Sequence, residues 1–93
     1  MDMEMNGIPT VAIIDSRAVR DYLSASYVVD WGLTLFKKKS LYLLTTADGS
    51  PITHNQGIVT HEARVSLGIL DRVEIVILDI TNTGNSDIIL GLL

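Results

Sequence analysis

The pair Asp15 and Ser16 ends the apolar run "AIID" and is the clearest candidate for chemistry in this chain. An ionised carboxylate at the end of a buried strand is costly unless a partner compensates it, so such an Asp is either a paired structural group or a reactive one. Acid and base chemistry by carboxylates needs one protonated and one ionised group, which two carboxylates achieve by sharing a proton at close range. Because the chain holds one such Asp-Ser signature, we predict that the second carboxylate comes from an identical chain across a two-fold axis.

Size and composition limit what kind of protein this is. The 93 residues suffice for one domain, and the small core of such a domain favours association with a partner subunit. The absence of cysteine excludes disulfides, thiolate metal sites and a cysteine nucleophile. It also fits a reducing compartment, so we expect a cytoplasmic protein.

Charge and hydropathy argue against two classes of partner. The net charge is −4 and the only basic cluster is Lys37-Lys38-Lys39, so we expect no direct contact with nucleic acid. We expect this triple lysine to form a solvated turn. Apolar residues make up 47% of the chain but never approach the ~18 consecutive positions that span a bilayer, and the acidic start "MDMEMNG" does not resemble a targeting peptide. We therefore expect no membrane partner.

A β-hairpin is predicted at the start of the chain. Asn6-Gly7 is a strong turn signal between two apolar segments. The second strand of the hairpin would run from Ile8 to Ile14. Asp15 would then lie where this strand leaves the core.

One short helix is predicted between Ser24 and Gly32. Ser24 and Ser26 favour the N-cap position, "YVVDW" is apolar at helical spacing, and Gly32 can end the helix in a left-handed conformation. Tyr27 and Trp31 lie four residues apart, a spacing that indicates core packing.

The rest of the chain has the pattern of β-strands. The segments "LYLLTT", "ITHNQGIVTHEARVSLGI", "VEIVILDIT" and "SDIILGLL" are rich in apolar and β-branched residues and are separated by turn formers. Gly57 interrupts the long middle segment, where we expect a bulge or a sharp bend. The sequence therefore predicts a mostly antiparallel, all-β domain with one short helix.

Three motifs in order resemble those of one protein family. "NGIPTVAIIDSRAVRDYLS" resembles the hairpin and the Asp-Ser/Thr-Gly-Ala loop of the retropepsins, "TTADGSPI" resembles the tip of their flap, and "SDIILGLL" resembles the apolar-apolar-Gly strand under their active-site loop. The chain thus resembles the homodimeric aspartic proteases of retroviruses and, more closely, of gypsy-type long-terminal-repeat retrotransposons. This resemblance covers nearly the whole chain and implies a small closed β-barrel of retropepsin type, with one short helix and a flap hairpin.

The resemblance also implies roles for single residues. Asp15 would be the catalytic aspartate, one from each subunit, Ser16 would hydrogen-bond across the dimer axis, and Ala18 would be the small residue beneath the loop. Gly91 would let the last strand pack against the Asp loop. The tip of the flap, which closes over the substrate, would comprise Ala47, Asp48, Gly49 and Ser50.

Together these roles imply an aspartic endopeptidase domain cut from a retrotransposon-type polyprotein. It would work as a homodimer on an extended polypeptide substrate, with no cofactor and no metal. Its location would be the cytoplasm, including the interior of virus-like particles.

The chain departs from the family pattern in two places. Arg17 stands where the family has a glycine, and its side chain would crowd the two-fold axis, while its charge would favour the doubly ionised dyad over the singly protonated one. The single domain, residues 1–93, is also expected to lack the C-terminal helix of the family. These departures favour an alternative, a catalytically impaired retropepsin fold that serves as a dimerisation or peptide-binding module.

Other residues favour structural roles. His54 and His61 lack a clear third ligand and are expected to be ordinary strand-surface histidines, so no metal site is predicted. Asp87 is expected to anchor the last strand. A third, weaker possibility is an unrelated small β-barrel binding domain, in which the three motifs coincide by chance.

Overall fold

The computed structural model describes residues 2–15, 18, 20–45, 52, 55–69, 71–84 and 86–91. Seven strands and one helix make up most of this part of the chain, with a single 3-10 turn at Asn55–Gly57. The elements are β1 (Asp2–Met5), β2 (Ile8–Asp15), β3 (Tyr22–Ser24), α1 (Ala25–Trp31), β4 (Phe36–Leu43), β5 (Ile58–Ile69), β6 (Arg72–Thr81) and β7 (Ile88–Gly91).

The strands form one sheet that closes on itself. Their order is β1, β2, β7, β3, β6, β5 and β4, and β1 also pairs with β5. This additional pairing joins six strands into a closed barrel, while β4 extends the sheet beyond β5. The predicted fold class, a small closed barrel with one short helix, is confirmed.

The predicted hairpin at Asn6-Gly7 joins β1 and β2. Asn6 and Gly7 have φ angles of 52° and 80°, the left-handed pair that a two-residue type I′ turn requires. Asn6 also holds the turn against β5, because its N–H donates to the Ser66 carbonyl (2.8 Å) and its Oδ1 accepts from the Ser66 N–H (2.9 Å). The turn therefore helps to close the barrel.

The core lies inside this barrel and is built from residues at alternate strand positions. In β1 and β2 every second residue faces inward, which gives buried Met3, Met5, Thr10 and Ala12. The largest fully buried side chains are Met5, Leu23, Val59, Leu78 and Ile88.

The helix α1 follows the predicted pattern, with one difference. It begins after Ser24 and ends at Gly32, whose φ of 60° is left-handed. Tyr27 is buried and its hydroxyl lies 2.8 Å from the Thr10 hydroxyl, but Trp31 is 51% exposed. The expectation that both aromatic residues pack in the core was wrong for Trp31, which is the last residue of the short helix and contacts the Tyr27 ring (5.9 Å between ring centres) with half of its surface in solvent.

The triple lysine is not a turn. Lys37 to Lys39 lie inside β4, so the expected solvated turn was wrong. The middle lysine is turned toward the sheet, where its side chain is only 12% exposed and its Nζ lies 2.9 Å from Oδ1 of Asp79. A buried carboxylate on β6 compensates its charge, and this partner could not be seen in the local sequence.

The strand pattern also differs from expectation in three details. Gly57 has a φ of 85° in the turn before β5, so it precedes the long strand and does not interrupt it. The short strand β3 was not predicted. Most pairings are antiparallel as expected, but β2 pairs with β7 and β3 with β6 in parallel. In the described part of the chain, no helix is long and apolar enough to cross a membrane.

Candidate active site

Asp15 is the last residue of β2, where the sequence predicts that this strand leaves the core. It is half-buried and lies opposite Gly91 in the parallel pair of β2 and β7. The main chain on this side of Asp15 is therefore fixed by a strand in the barrel. A parallel pair of this kind brings together residues that are 76 positions apart, as the Asp15 and Gly91 register shows.

A main-chain hydrogen bond joins Ala18 back to Asp15. The Ala18 N–H donates to the Asp15 carbonyl at 3.1 Å, the hydrogen bond that defines a turn between these two residues. Ala18 is half-buried there. Ser16 and Arg17, the two predicted site residues between them, lie outside the described residues.

Gly91 lies directly against this turn. A Cβ at Gly91 would lie 2.4 Å from the Ala18 carbonyl oxygen and 3.0 Å from the Arg20 carbonyl oxygen. Both neighbours are main-chain atoms, which cannot move aside as a flexible side chain would. Only glycine lets β7 approach the turn this closely.

Asp21 also holds Gly91 in place, and sequence reasoning missed it. Its Oδ1 accepts the Gly91 N–H at 2.9 Å, and its carbonyl accepts the Asp79 N–H at 2.9 Å. Asp21 thus links the start of β3 to both β7 and β6. Its place six residues after Asp15 was the only signal in the sequence, and that spacing does not reveal the partner strands.

A buried polar cluster lies behind this region. The carboxylate of Asp79 is 6% exposed, and it accepts hydrogen bonds from the Lys38 ammonium and the Tyr42 hydroxyl. Burial of Tyr42, together with its hydrogen bond to Asp79, raises the pKa of the phenol well above its usual range. This cluster ties β4 to β6 across the intervening β5.

Comparison with known families agrees with this geometry. Residues 11–93 match the family model of the PEG10/RTL1 protease domain. The chain belongs to this family. The PEG10/RTL1 protease domain is a retropepsin-like domain of gypsy-type retrotransposon-derived proteins, so the resemblance inferred from the sequence is confirmed. A comparison with curated protein sequences gave no match.

The flap predicted from the sequence would lie in the connection between β4 and β5. These two strands are antiparallel, and near their ends the Leu44 N–H donates to the Gly57 carbonyl at 2.7 Å. The predicted flap-tip residues Ala47, Asp48, Gly49 and Ser50 lie outside the described residues.

The histidines and Asp87, the remaining candidate residues, were expected to have structural roles. His61 is half-buried on β5, with its Nδ1 2.7 Å from the Thr60 hydroxyl, and His54 lies outside the described residues. Within the described ranges, no group of three or more His, Asp or Glu side chains could hold a metal ion. The main-chain carbonyl of Asp87 accepts the Ser24 N–H at 2.9 Å and so links the start of β7 to β3.

A cavity of about 410 Å³ lies next to Gly91 but not at Asp15. Leu67, Val76 and Leu90 supply its apolar lining, and several carboxylates lie at its margin. Asp15 is not among the lining residues, so we do not associate this cavity with the chemistry of the candidate site.

Proposed function

We propose that this PEG10/RTL1-type domain acts as a homodimeric aspartic endopeptidase, with one Asp15 from each subunit. The observation that carries the proposal is the packing of the turn after Asp15 against Gly91 of β7, where no side chain fits at Gly91. Such packing restricts the main chain on either side of the turn. A reactive group that must meet its symmetry mate at close range needs a rigid support of this kind.

The chemistry would rest on a proton shared between two carboxylates. One Asp15 would be ionised and would accept a proton from a water molecule as that water attacks the carbonyl carbon of the scissile peptide bond. The other Asp15 would be protonated and would donate its proton to the carbonyl oxygen. A further proton transfer to the peptide nitrogen would then release the amine product.

The surface before Asp15 supports a partner at this position. Val11, Ile13 and Ile14 of β2 are 53%, 50% and 42% exposed, although they belong to a strand of the barrel. Exposed apolar side chains next to a candidate site indicate that something covers them in the working protein. A second subunit and a bound polypeptide would share this surface.

The substrate would be a polypeptide in extended form, held by main-chain hydrogen bonds beneath the flaps. Residues 47–50 would close over it and exclude water from the dyad. A domain of this family would cleave the polyprotein that contains it, in the cytoplasm or within virus-like particles, without a metal or cofactor.

A second candidate function follows from Arg17. This residue replaces the glycine of the family motif, and two guanidinium groups near the dyad would hold both carboxylates ionised. The domain would then keep the fold and the dimer but bind polypeptides without cleaving them.

One experiment separates the two functions. Purified protein would be incubated with an unstructured polypeptide at pH values from about 4 to about 7, the range in which a carboxylate dyad can hold one proton. The wild type, Asp15→Asn and Arg17→Gly would be compared, each with and without pepstatin, an inhibitor of aspartic proteases. Cleavage by the wild type that Asp15→Asn abolishes supports the protease, whereas cleavage by Arg17→Gly alone supports the impaired module.

A further inference from the structure

The basic side chains of this acidic chain are concentrated in one groove. The groove has a volume of about 620 Å³ and follows β4. Five of the seven Lys and Arg residues of the chain line it, although the net charge of the whole chain is −4. These five are Arg20, Lys37, Lys38, Lys39 and Arg64.

Two of these cations are held in place by aromatic rings. The Arg20 guanidinium lies 4.6 Å from the centre of the Tyr42 ring, and the Arg64 guanidinium lies 4.2 Å from the centre of the Phe36 ring. Both arginine side chains are still more than half exposed. Each guanidinium also lies about one ion-pair distance from a carboxylate, Arg20 at 4.0 Å from Asp79 and Arg64 at 3.9 Å from Glu62, but its solvent-exposed N–H groups can still bind a further anion.

The charge at the floor of the groove is compensated, and that of its rim only in part, because the two stacked arginines lie 4.0 Å and 3.9 Å from Asp79 and Glu62, respectively. The Lys38 side chain is 12% exposed and is paired with Asp79 at 2.9 Å and with Glu62 at 3.7 Å. Lys37 and Lys39 on either side of it are exposed. The rim therefore carries a surplus of positive charge that the two carboxylates of the floor do not cancel.

The groove lies beside a sheet edge and close to the candidate site. In the described part of the chain, β4 pairs only with β5, so its other edge offers main-chain groups to an extended segment. The carbonyl of Arg20, one of the residues that line the groove, packs against Gly91, the strand neighbour of Asp15. An extended polypeptide that reaches Asp15 can therefore continue along the groove.

We propose that this groove binds Asp and Glu side chains of an extended polypeptide, so that the domain selects substrates with acidic residues away from the cleavage point. The identification of the segment as a substrate rests on the proposed function, whereas binding itself does not require hydrolysis. A polypeptide fits better than a nucleic acid, because a nucleic-acid surface needs a broad basic face and this groove lies on an acidic protein.

The test uses three labelled peptides of one length that differ only in carrying several glutamates, glutamines or lysines. Their binding to the intact Asp15→Asn protein is measured by fluorescence anisotropy, which avoids turnover. We expect the glutamate peptide to bind about tenfold more tightly than the glutamine peptide, since several weak ion pairs add together. We expect this preference to disappear as salt rises from about 0.05 M to about 0.5 M.

Matched charge variants locate the effect. Arg20→Gln and Lys39→Gln, each in the Asp15→Asn protein, should weaken binding of the glutamate peptide about three- to fivefold. Arg72→Gln removes the same charge from a residue outside the groove and should leave binding unchanged. Circular dichroism of each variant would verify that the fold is retained.

Three results would overturn the inference. These are equal binding of the glutamate and glutamine peptides, an equal effect of Arg72→Gln and Arg20→Gln, and tighter binding of a single-stranded oligonucleotide of the same charge. Cleavage assays with the wild type keep the two proposals apart. Equal cleavage of the glutamate and glutamine peptides would contradict the proposed binding of acidic side chains in the groove but would support the proposed protease activity. Selective binding of the glutamate peptide without any cleavage would contradict the protease activity but would support the proposed role of the groove.

Discussion

At position 91 the barrel has no room for a side chain. Gly91→Ala would place a Cβ 2.4 Å from the Ala18 carbonyl oxygen, so β7 or the turn after Asp15 must shift. We expect a loss of about 1–3 kcal/mol in the free energy of unfolding, the usual cost of overpacking. Urea denaturation followed by circular dichroism would measure it.

Gly68→Ala is the matched control for this substitution. Gly68 also lies in a strand, but a Cβ there would meet its nearest neighbour, Cβ of Glu4, at an ordinary 3.7 Å. We expect little change in stability at this position. Equal losses for the two variants would contradict the close approach of β7 to the turn.

Tyr42 gives the protein a specific sensitivity to alkali. Burial and the Asp79 carboxylate raise the pKa of its phenol, so the folded protein holds this proton more tightly than the unfolded chain does. The resulting stability is complete below pH 10 or so, the usual pKa of tyrosine, and falls as the pH rises above it, by at most about 1.4 kcal/mol per pH unit. Tyr42→Phe should reduce this slope, as measured by urea denaturation at several pH values above about 10. If stability fell equally steeply with pH in the wild type and in Tyr42→Phe, the raised pKa of Tyr42 would be contradicted.

Among the elements, the β1 and β2 hairpin depends on Asn6 both for its turn and for closing the barrel. Asn6→Ala would keep the chain length but lose the acceptor for the Ser66 N–H and the tolerance for a positive φ. We expect a loss of about 1–2 kcal/mol in stability and faster hydrogen exchange at the Ser66 amide. Asn6→Asp keeps an acceptor oxygen and should lose less. If both variants exchanged the Ser66 amide as slowly as the wild type, the proposed closure would be wrong.

The strand β4 is attached to the barrel by more than its pairing with β5. Lys38 bridges it to Asp79 of β6, and Lys38→Met would leave that buried carboxylate without its nearest cation. We expect the free energy of unfolding to fall by about 3 kcal/mol, because removal of one partner leaves the buried charge of the other uncompensated. Lys39→Met, at an exposed position of the same strand, should change stability little. Similar losses for the two variants would show that the pairing of Lys38 with Asp79 contributes nothing.

For the whole molecule, dimerisation would couple stability to protein concentration. If the folded state is a dimer and the unfolded state a monomer, a tenfold rise in concentration should stabilise the folded protein by about 1.4 kcal/mol. Urea denaturation at two concentrations, with sedimentation equilibrium as an independent measure of mass, would test this. Unchanged midpoints together with a monomeric mass would contradict the homodimer.

Charge is also distributed unevenly over the molecule. Five of the seven basic residues line a single groove, and this concentration arises because β4 pairs with β5 and because Arg20, shortly before β3, lies over the Tyr42 ring of β4. The sequence shows only three of them next to one another, as Lys37-Lys38-Lys39. Arg64 joins them through the pairing of β4 with β5, and Arg20 joins them through its contact with the Tyr42 ring.

The sequence alone determined the features that local chemistry specifies. Asn6-Gly7 requires left-handed angles and forms the turn, Gly32 ends the helix, and apolar and β-branched runs form the strands. The order of the motifs was enough to predict the retropepsin-like family and the small barrel. These signals are readable because each acts through neighbouring residues.

Only the tertiary structure decided the partners of several distant groups. The family resemblance implied that Gly91 packs against the Asp loop, but it did not show that Asp21 accepts the Gly91 N–H or that a carboxylate on β6 turns Lys38 inward. Each contact joins residues far apart in the chain. Its energy depends on burial and on the identity of the distant partner, which the local sequence does not predict. For this reason the lysine turn and the buried Trp31 were predicted wrongly, while the strand that carries Asp15 was predicted correctly.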